Sequence, residues 1–122
     1  MARGWLRRVI TALALAFATS CASAPTPAQQ IVNTEQAALA PLKAKYPNIV
    51  TAFNISGKRL DISIDANGYI QTGDDKIDQF KKDAKHAWLA AWTKAHPHEH
   101  AKLTVRFMDF MSRVWATLKV QA

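Results

Sequence analysis

The 122-residue chain contains a single cysteine, Cys21, and only four glycines. One thiol cannot close an internal disulfide, and the Cys/Cys and Cys/His spacings of zinc fingers are missing, so stapled scaffolds and zinc ribbons are excluded. There is no Gly-rich loop to cradle a phosphate and no nucleophile elbow. No Ser/His/Asp or paired-carboxylate arrangement is recognisable, which favours a non-catalytic protein. What is present is 49% hydrophobic and 20% charged residues, the composition of one small globular domain.

The N-terminus carries the clearest pattern. Met1 to Arg8 holds Arg3, Arg7 and Arg8 with no acid, Val9 to Phe17 is apolar apart from Thr11, and small residues run from Ala18 to Ala24. A charged stretch, a short apolar stretch and a small-residue stretch form a secretory signal peptide, assigned here to residues 1–21. The apolar run is about half the roughly 20 residues of a membrane-spanning helix. Two cleavage sites compete. Ala22-Ser23-Ala24 suits ordinary signal peptidase, although Pro25 would then follow the cut. Ala18-Thr19-Ser20-Cys21 resembles the lipobox of bacterial lipoproteins, in which the cysteine is lipidated and becomes the new N-terminus. That resemblance implies a lipid anchor at Cys21 and, with Ala22 rather than Asp after it, outer-membrane sorting in a Gram-negative cell. The expected location is therefore the periplasm or outer membrane.

Removing Arg3, Arg7 and Arg8 leaves 13 Lys and Arg against 9 Asp and Glu, a balance of +4 rather than +7. Such a balance suits an envelope protein or membrane surface as partner and does not point to nucleic acid. Residues 22–33 are polar and Pro-containing and read as a flexible tether. Ala38, Leu39, Leu42 and Tyr46 then recur at helical spacing, which predicts a short helix from Glu35 to Lys45, with Thr34 as its cap and Pro41 as a blemish.

From Asn48 the period changes. Ile49 to Ile55 is rich in β-formers, Ser56-Gly57 marks a turn, and Leu60, Ile62 and Ile64 alternate with polar residues. Asn67-Gly68 has the chemistry of a tight hairpin turn, so Tyr69-Ile70 reads as the start of a third strand of a meander. Asp74 to Lys94 is predicted as a long amphipathic helix, with Ile77, Phe80, Ala84, Trp88, Ala91, Trp92 and Ala95 on one face and Asp74 and Asp75 at the start, where the macrodipole favours anions. Trp88 and Trp92 are expected to anchor the core. The opposite face carries Lys81, Lys82 and Lys85, a candidate partner surface, and Asp78 can meet Lys82 one turn on.

His96, His98 and His100 form the one local cluster of ligand types. Neutral imidazoles suit Cu(II), Ni(II) or Zn(II), with Glu99 as an oxygen donor and Met108 and Met111 as thioethers for Cu(I). Residues 103–120 fit two patterns. Leu103, Val105 and Phe107, then Val114, Ala116, Leu118 and Val120, alternate as two strands joined near Asp109 to Ser112; Phe107, Phe110, Met111, Val114 and Leu118 also form a helical stripe. The β-branched content favours the hairpin.

These elements predict an α+β domain over residues 34–122. It is a two-layer sandwich in which a small antiparallel sheet of about four to five strands is packed by one long amphipathic helix and a short N-terminal helix. Ile62 to Ile70 (ISIDANGYI), followed by a Trp-bearing helix, is similar to TonB C-terminal domains, and the order of elements is similar to BON domains; no site residue follows from either likeness. The expected function is a small exported envelope module, periplasmic or lipid-anchored, with a binding or structural role. The alternative is a periplasmic protein binding Cu or Zn through His96, His98 and His100.

Overall fold

The computed structural model describes residues 24–122, so the signal segment and Cys21 lie outside the described residues. In chain order the elements are α1 (Pro27–Lys45), β1 (Val50–Ser56), β2 (Arg59–Ile64), α2 (Ala66–Thr72), α3 (Asp74–Ala95), β3 (Lys102–Met108) and β4 (Val114–Gln121). The fold is α+β, with three helices and one four-stranded mixed sheet among the described residues, in the order β1-β2-β3-β4. Among the described residues no helix is long and apolar enough to cross a membrane.

Three expectations are corrected. The helix predicted from Glu35 begins at Pro27, because Thr26 accepts a hydrogen bond from the Gln29 amide at 3.1 Å and Pro27 sits at the first helical position. It therefore takes in residues 27–33, read from sequence as tether, and runs through Pro41. The sheet is not wholly antiparallel. A helix as long as α3 carries the chain back to the start of β2, so β3 lies parallel beside it, from Arg59 opposite Thr104 to Ser63 opposite Met108. The third correction concerns Asn67-Gly68, which belongs to α2 and not to a hairpin. Asp65 caps that helix by accepting from the Asn67 amide, and its own amide donates to the Ile49 carbonyl at 2.8 Å. A Cβ at Gly68 would lie 1.8 Å from the Asn48 carbonyl oxygen, so glycine serves there for close approach. Ile62 to Ile70 is thus the end of a strand followed by a helix.

Residues 103–120 do form the expected hairpin, with Leu103 opposite Val120 and Phe107 opposite Ala116. Alternation then sorts the sheet. Leu60, Ile62, Ile64, Leu103, Val105 and Phe107 are buried in one core with Leu39 and Leu42 of α1 and with Ile77, Phe80, Ala84, Trp88, Ala91 and Trp92 of α3. Trp88 is fully buried, and its indole N–H donates to the Lys58 carbonyl at 3.1 Å, joining α3 to the β1–β2 turn. Asp83 ties α3 to the end of α1 by accepting from Lys45 Nζ at 2.7 Å and the Tyr46 hydroxyl at 2.5 Å.

Candidate functional site

Because β2 and β3 are parallel, their C-terminal ends lie together, and the chain leaves them into α2 and into the β3–β4 connection. That shared end holds every large hydrophobic side chain that is exposed among the described residues. Phe110 is 89% exposed, Ile70 64%, Met111 62%, Val114 48% and Trp115 36%. Scattered exposed apolar residues are ordinary; here four come from the β3–β4 connection and the start of β4 and one from α2, with Phe110 beside a groove of Thr51, Ser63 and Asp65, and Ile70 and Trp115 beside another.

The connection carrying them is held from beneath. Asp109, whose side chain is closed to solvent, accepts from the Met111 amide at 2.9 Å, the Arg113 amide at 3.0 Å, Arg113 Nε at 2.8 Å and Trp115 Nε1 at 3.0 Å. The Trp115 hydrogen bond, foremost, with those from Arg113 and Met111, holds this carboxyl down to about 2, so it is a carboxylate at any physiological pH. Ser112 takes a left-handed φ of 60° to close the loop. Phe110 and Met111 are therefore presented on a braced turn.

Trp115 owes its position to a bulge. Met108 pairs with Val114 and Phe107 with Ala116, which leaves Trp115 as the extra residue of β4. Its ring meets Tyr69 of α2 edge-on at 5.5 Å, and Tyr69 in turn meets Phe107 at 6.2 Å. Phe107 stacks on Phe80 at 4.8 Å, and Phe80 meets Tyr46 at 4.9 Å. A chain of aromatic rings thus joins the core to the apolar end. Beside Trp115 a groove of about 560 Å³ runs between α2 and the start of α3, with Ile70, Ile77 and Tyr69 along it and Asp74, Asp78 and Lys81 at its rim.

The residues singled out from sequence are distributed elsewhere. Lys82 is exposed on α3 and Lys81 and Lys85 are half-buried, so the three form a broken rather than continuous basic face. Asp78 makes no ion pair with Lys82; the ion pair of this helix is the one from Asp83 to Lys45. His96 stacks on Trp92 at 4.5 Å, and its Nδ1 lies 3.5 Å from Glu99 Oε2, while His98 and His100 are exposed. Among the described residues no group of three or more His, Cys, Asp or Glu side chains is placed to hold a metal ion. Met108 and Met111 stand at the far end of β3 from these histidines, roughly 20 Å away by strand rise.

The sheet side opposite the core has its own charged group. Arg106 clamps Asp61 through Nε at 2.8 Å and Nη2 at 3.0 Å, with Arg59 Nε 3.3 Å away. Arg106 foremost holds the Asp61 carboxyl below its usual range. Arg106 and Asp61 satisfy each other and brace two central strands, whereas the buried Arg59 Nε has no hydrogen-bond partner.

No family model, curated protein or solved structure matches the chain. In the sequence Phe110 and Met111 fall in the β3–β4 connection without a link to Ile70, because nothing local shows that β2 and β3 end together. Their signal was nonetheless there: two large apolar residues between Asp109 and Ser112, inside a turn where polar residues are the rule.

Proposed function

We propose that this is a small exported binding module of the bacterial envelope, non-catalytic and attached through a lipid at Cys21, that engages a protein partner with its apolar end. The signal-peptide pattern and the lipobox resemblance support export and attachment. We read the packing as a two-layer sandwich, with α1 and α3 over one side of the sheet. The observation that carries the binding role is the gathering of Ile70, Phe110, Met111, Val114 and Trp115 on one braced end. Keeping five large apolar groups in water costs solubility, and holding two of them on a turn fixed by one buried carboxylate makes that surface specific in shape.

Two measurements test this reading. Intact mass and membrane partition of wild type and Cys21→Ala in a Gram-negative host separate a lipidated product from a free periplasmic one; a soluble, unmodified wild type discards the anchor. A photo-crosslinking residue at position 110, introduced in the native host, is expected to give one defined protein adduct that the same group at position 94, exposed at the far end of α3, does not. Equal labelling from both positions overturns the binding end.

The metal-binding alternative rests on one feature, the Glu99 carboxylate beside His96. Calorimetry with Cu(II) and Zn(II) decides it, since coordination by His96, His98 and His100 together has to draw His96 off Trp92. Heats no greater than buffer competition exclude it.

A further inference from the structure

Charge at the apolar end selects among occupants. The mature chain is basic overall, with 13 Lys and Arg against 9 Asp and Glu from Ala22 onward. The groove beside Trp115 reverses that sign: Asp74 and Asp78 stand on its rim against Lys81 alone. Neither carboxylate has an ion-pair partner among the described residues, the ion pairs there being made by Asp61, Asp83, Glu99 and Asp109. Asp78 is close enough to Tyr69 to raise its hydroxyl, after burial the second cause. Arg113, the cation nearest the tip, is committed to Asp109.

Three occupants can cover such a surface. An anionic lipid leaflet would be repelled by Asp74 and Asp78 as Phe110 and Met111 approached it. A second copy docking two-fold through this end would bring those carboxylates against their own copies or leave them buried unpaired. A polypeptide with large apolar side chains flanked by lysine or arginine meets both features at once. Its apolar groups cover Ile70 and Ile77, and its cations reach the two carboxylates and the faces of Tyr69 and Trp115.

We propose that the apolar end binds a basic, apolar segment of a partner protein, seated in the groove of Tyr69, Ile70 and Trp115 with its cations on Asp74 and Asp78. This deepens the binding role given above and rests on it.

The probes are an amphipathic Leu/Lys peptide and its Leu/Glu counterpart, titrated calorimetrically into the mature protein purified from the envelope fraction. Overall charge favours the acidic peptide, so a preference for the basic one reports the local site. The expected result is binding of Leu/Lys roughly tenfold or more tighter than Leu/Glu, weakening as salt rises. In Asp74→Lys/Asp78→Lys, both on exposed positions, the preference reverses. In Ile70→Ser, at an exposed position of the groove, both peptides weaken, with the far-ultraviolet spectrum unchanged.

Equal affinity for the two peptides, or a preference that survives the Asp74/Asp78 reversal, overturns the basic partner. So does association with phosphatidylglycerol vesicles that Phe110→Ser/Met111→Ser abolishes, or a dimer in light scattering that the same variant dissolves. If no peptide binds while the adduct at position 110 forms in cells, the partner chemistry is wrong and the binding end stands; if that adduct is also missing, both fall.

Discussion

Glu35 on α1 and Asp109 beneath the β3–β4 turn are both nearly closed to solvent, at 2% and 5% exposure, and the fold treats them in opposite ways. Asp109 takes four hydrogen bonds and is held down to about 2. Glu35 lies on the stripe it shares with Leu39 and Leu42, and one of its oxygens, Oε2, has no partner. Burial pushes its carboxyl up to about 7. The same chemical group is thus a brace in one region and a cost in the other. The turn that carries the exposed apolar residues has the satisfied carboxylate, whereas the helical layer relies on apolar packing strong enough to bury an unsatisfied one.

The largest effect should come from breaking that packing. Trp88→Ala empties a fully buried site and leaves the Lys58 carbonyl with the Thr104 amide as its remaining donor, so a loss of about 3–5 kcal/mol is expected in denaturant unfolding. Against a total stability of about 5–15 kcal/mol this brings the domain near unfolding. A loss below about 1 kcal/mol would mean that α3 does not hold the helical layer in place.

Glu35 gives the next effect, with a definite sign. Its folded pKa of about 7 lies above the ordinary 4.5, so folding favours the protonated form. The contribution is fully present below about pH 4.5 and is lost as pH rises through about 7. Glu35→Gln keeps the shape without the charge. It should be more stable than wild type at pH 8, on the order of 2 kcal/mol, and nearly equal at pH 4.5. Parallel pH profiles for the two proteins would show that Glu35 is solvated in solution.

Much of this layer is legible in the sequence, and the physical reason is periodicity. Ile77, Phe80, Ala84, Trp88, Ala91, Trp92 and Ala95 repeat at three and four, and all but the half-buried Ala95 are buried. The β3–β4 hairpin follows from β-branched alternation in the same way. Strand direction is not written locally. Leu60, Ile62 and Ile64 alternate whether the neighbour is parallel or antiparallel, and the helix between β2 and β3 was the available sign of a crossover. Asn67-Gly68 misled because the same pair serves a hairpin turn and a close helix–backbone approach, and only the Asn48 carbonyl distinguishes them. The apolar end was hidden for a related reason. Its residues come from α2 and from the turn after β3, about 40 positions apart, and only the parallel pairing of β2 with β3 unites them.

Asp109 sharpens the comparison without the stability cost of the core. Asp109→Asn loses the charge and half of the acceptor capacity beneath the turn. Amide exchange at residues 110–115 should accelerate while the core amides of β2 and β3 keep their protection. The pH dependence runs opposite to that of Glu35. Because the folded pKa lies below the ordinary 3.8, the brace is present above about pH 3.8 and is lost as pH falls through about 2. The wild-type turn should stay closed at pH 4 and open near pH 2, and a turn already open at pH 4 would remove the brace from the account.

The smallest effect on stability is expected where the effect on binding is greatest. Phe110 and Met111 are exposed, so Phe110→Ser/Met111→Ser removes little buried area and should change stability by less than about 0.5 kcal/mol. The turn's hydrogen bonds to Asp109 from Met111, Ser112 and Arg113 use backbone amides, so it keeps its shape whatever side chains stand at 110 and 111. A residue kept for packing loses stability when cut back, whereas one kept for contact loses its partner first. If this double variant instead destabilises the domain by more than about 1 kcal/mol, the two side chains fold back onto the sheet in solution, and the apolar end is part of the core rather than a surface.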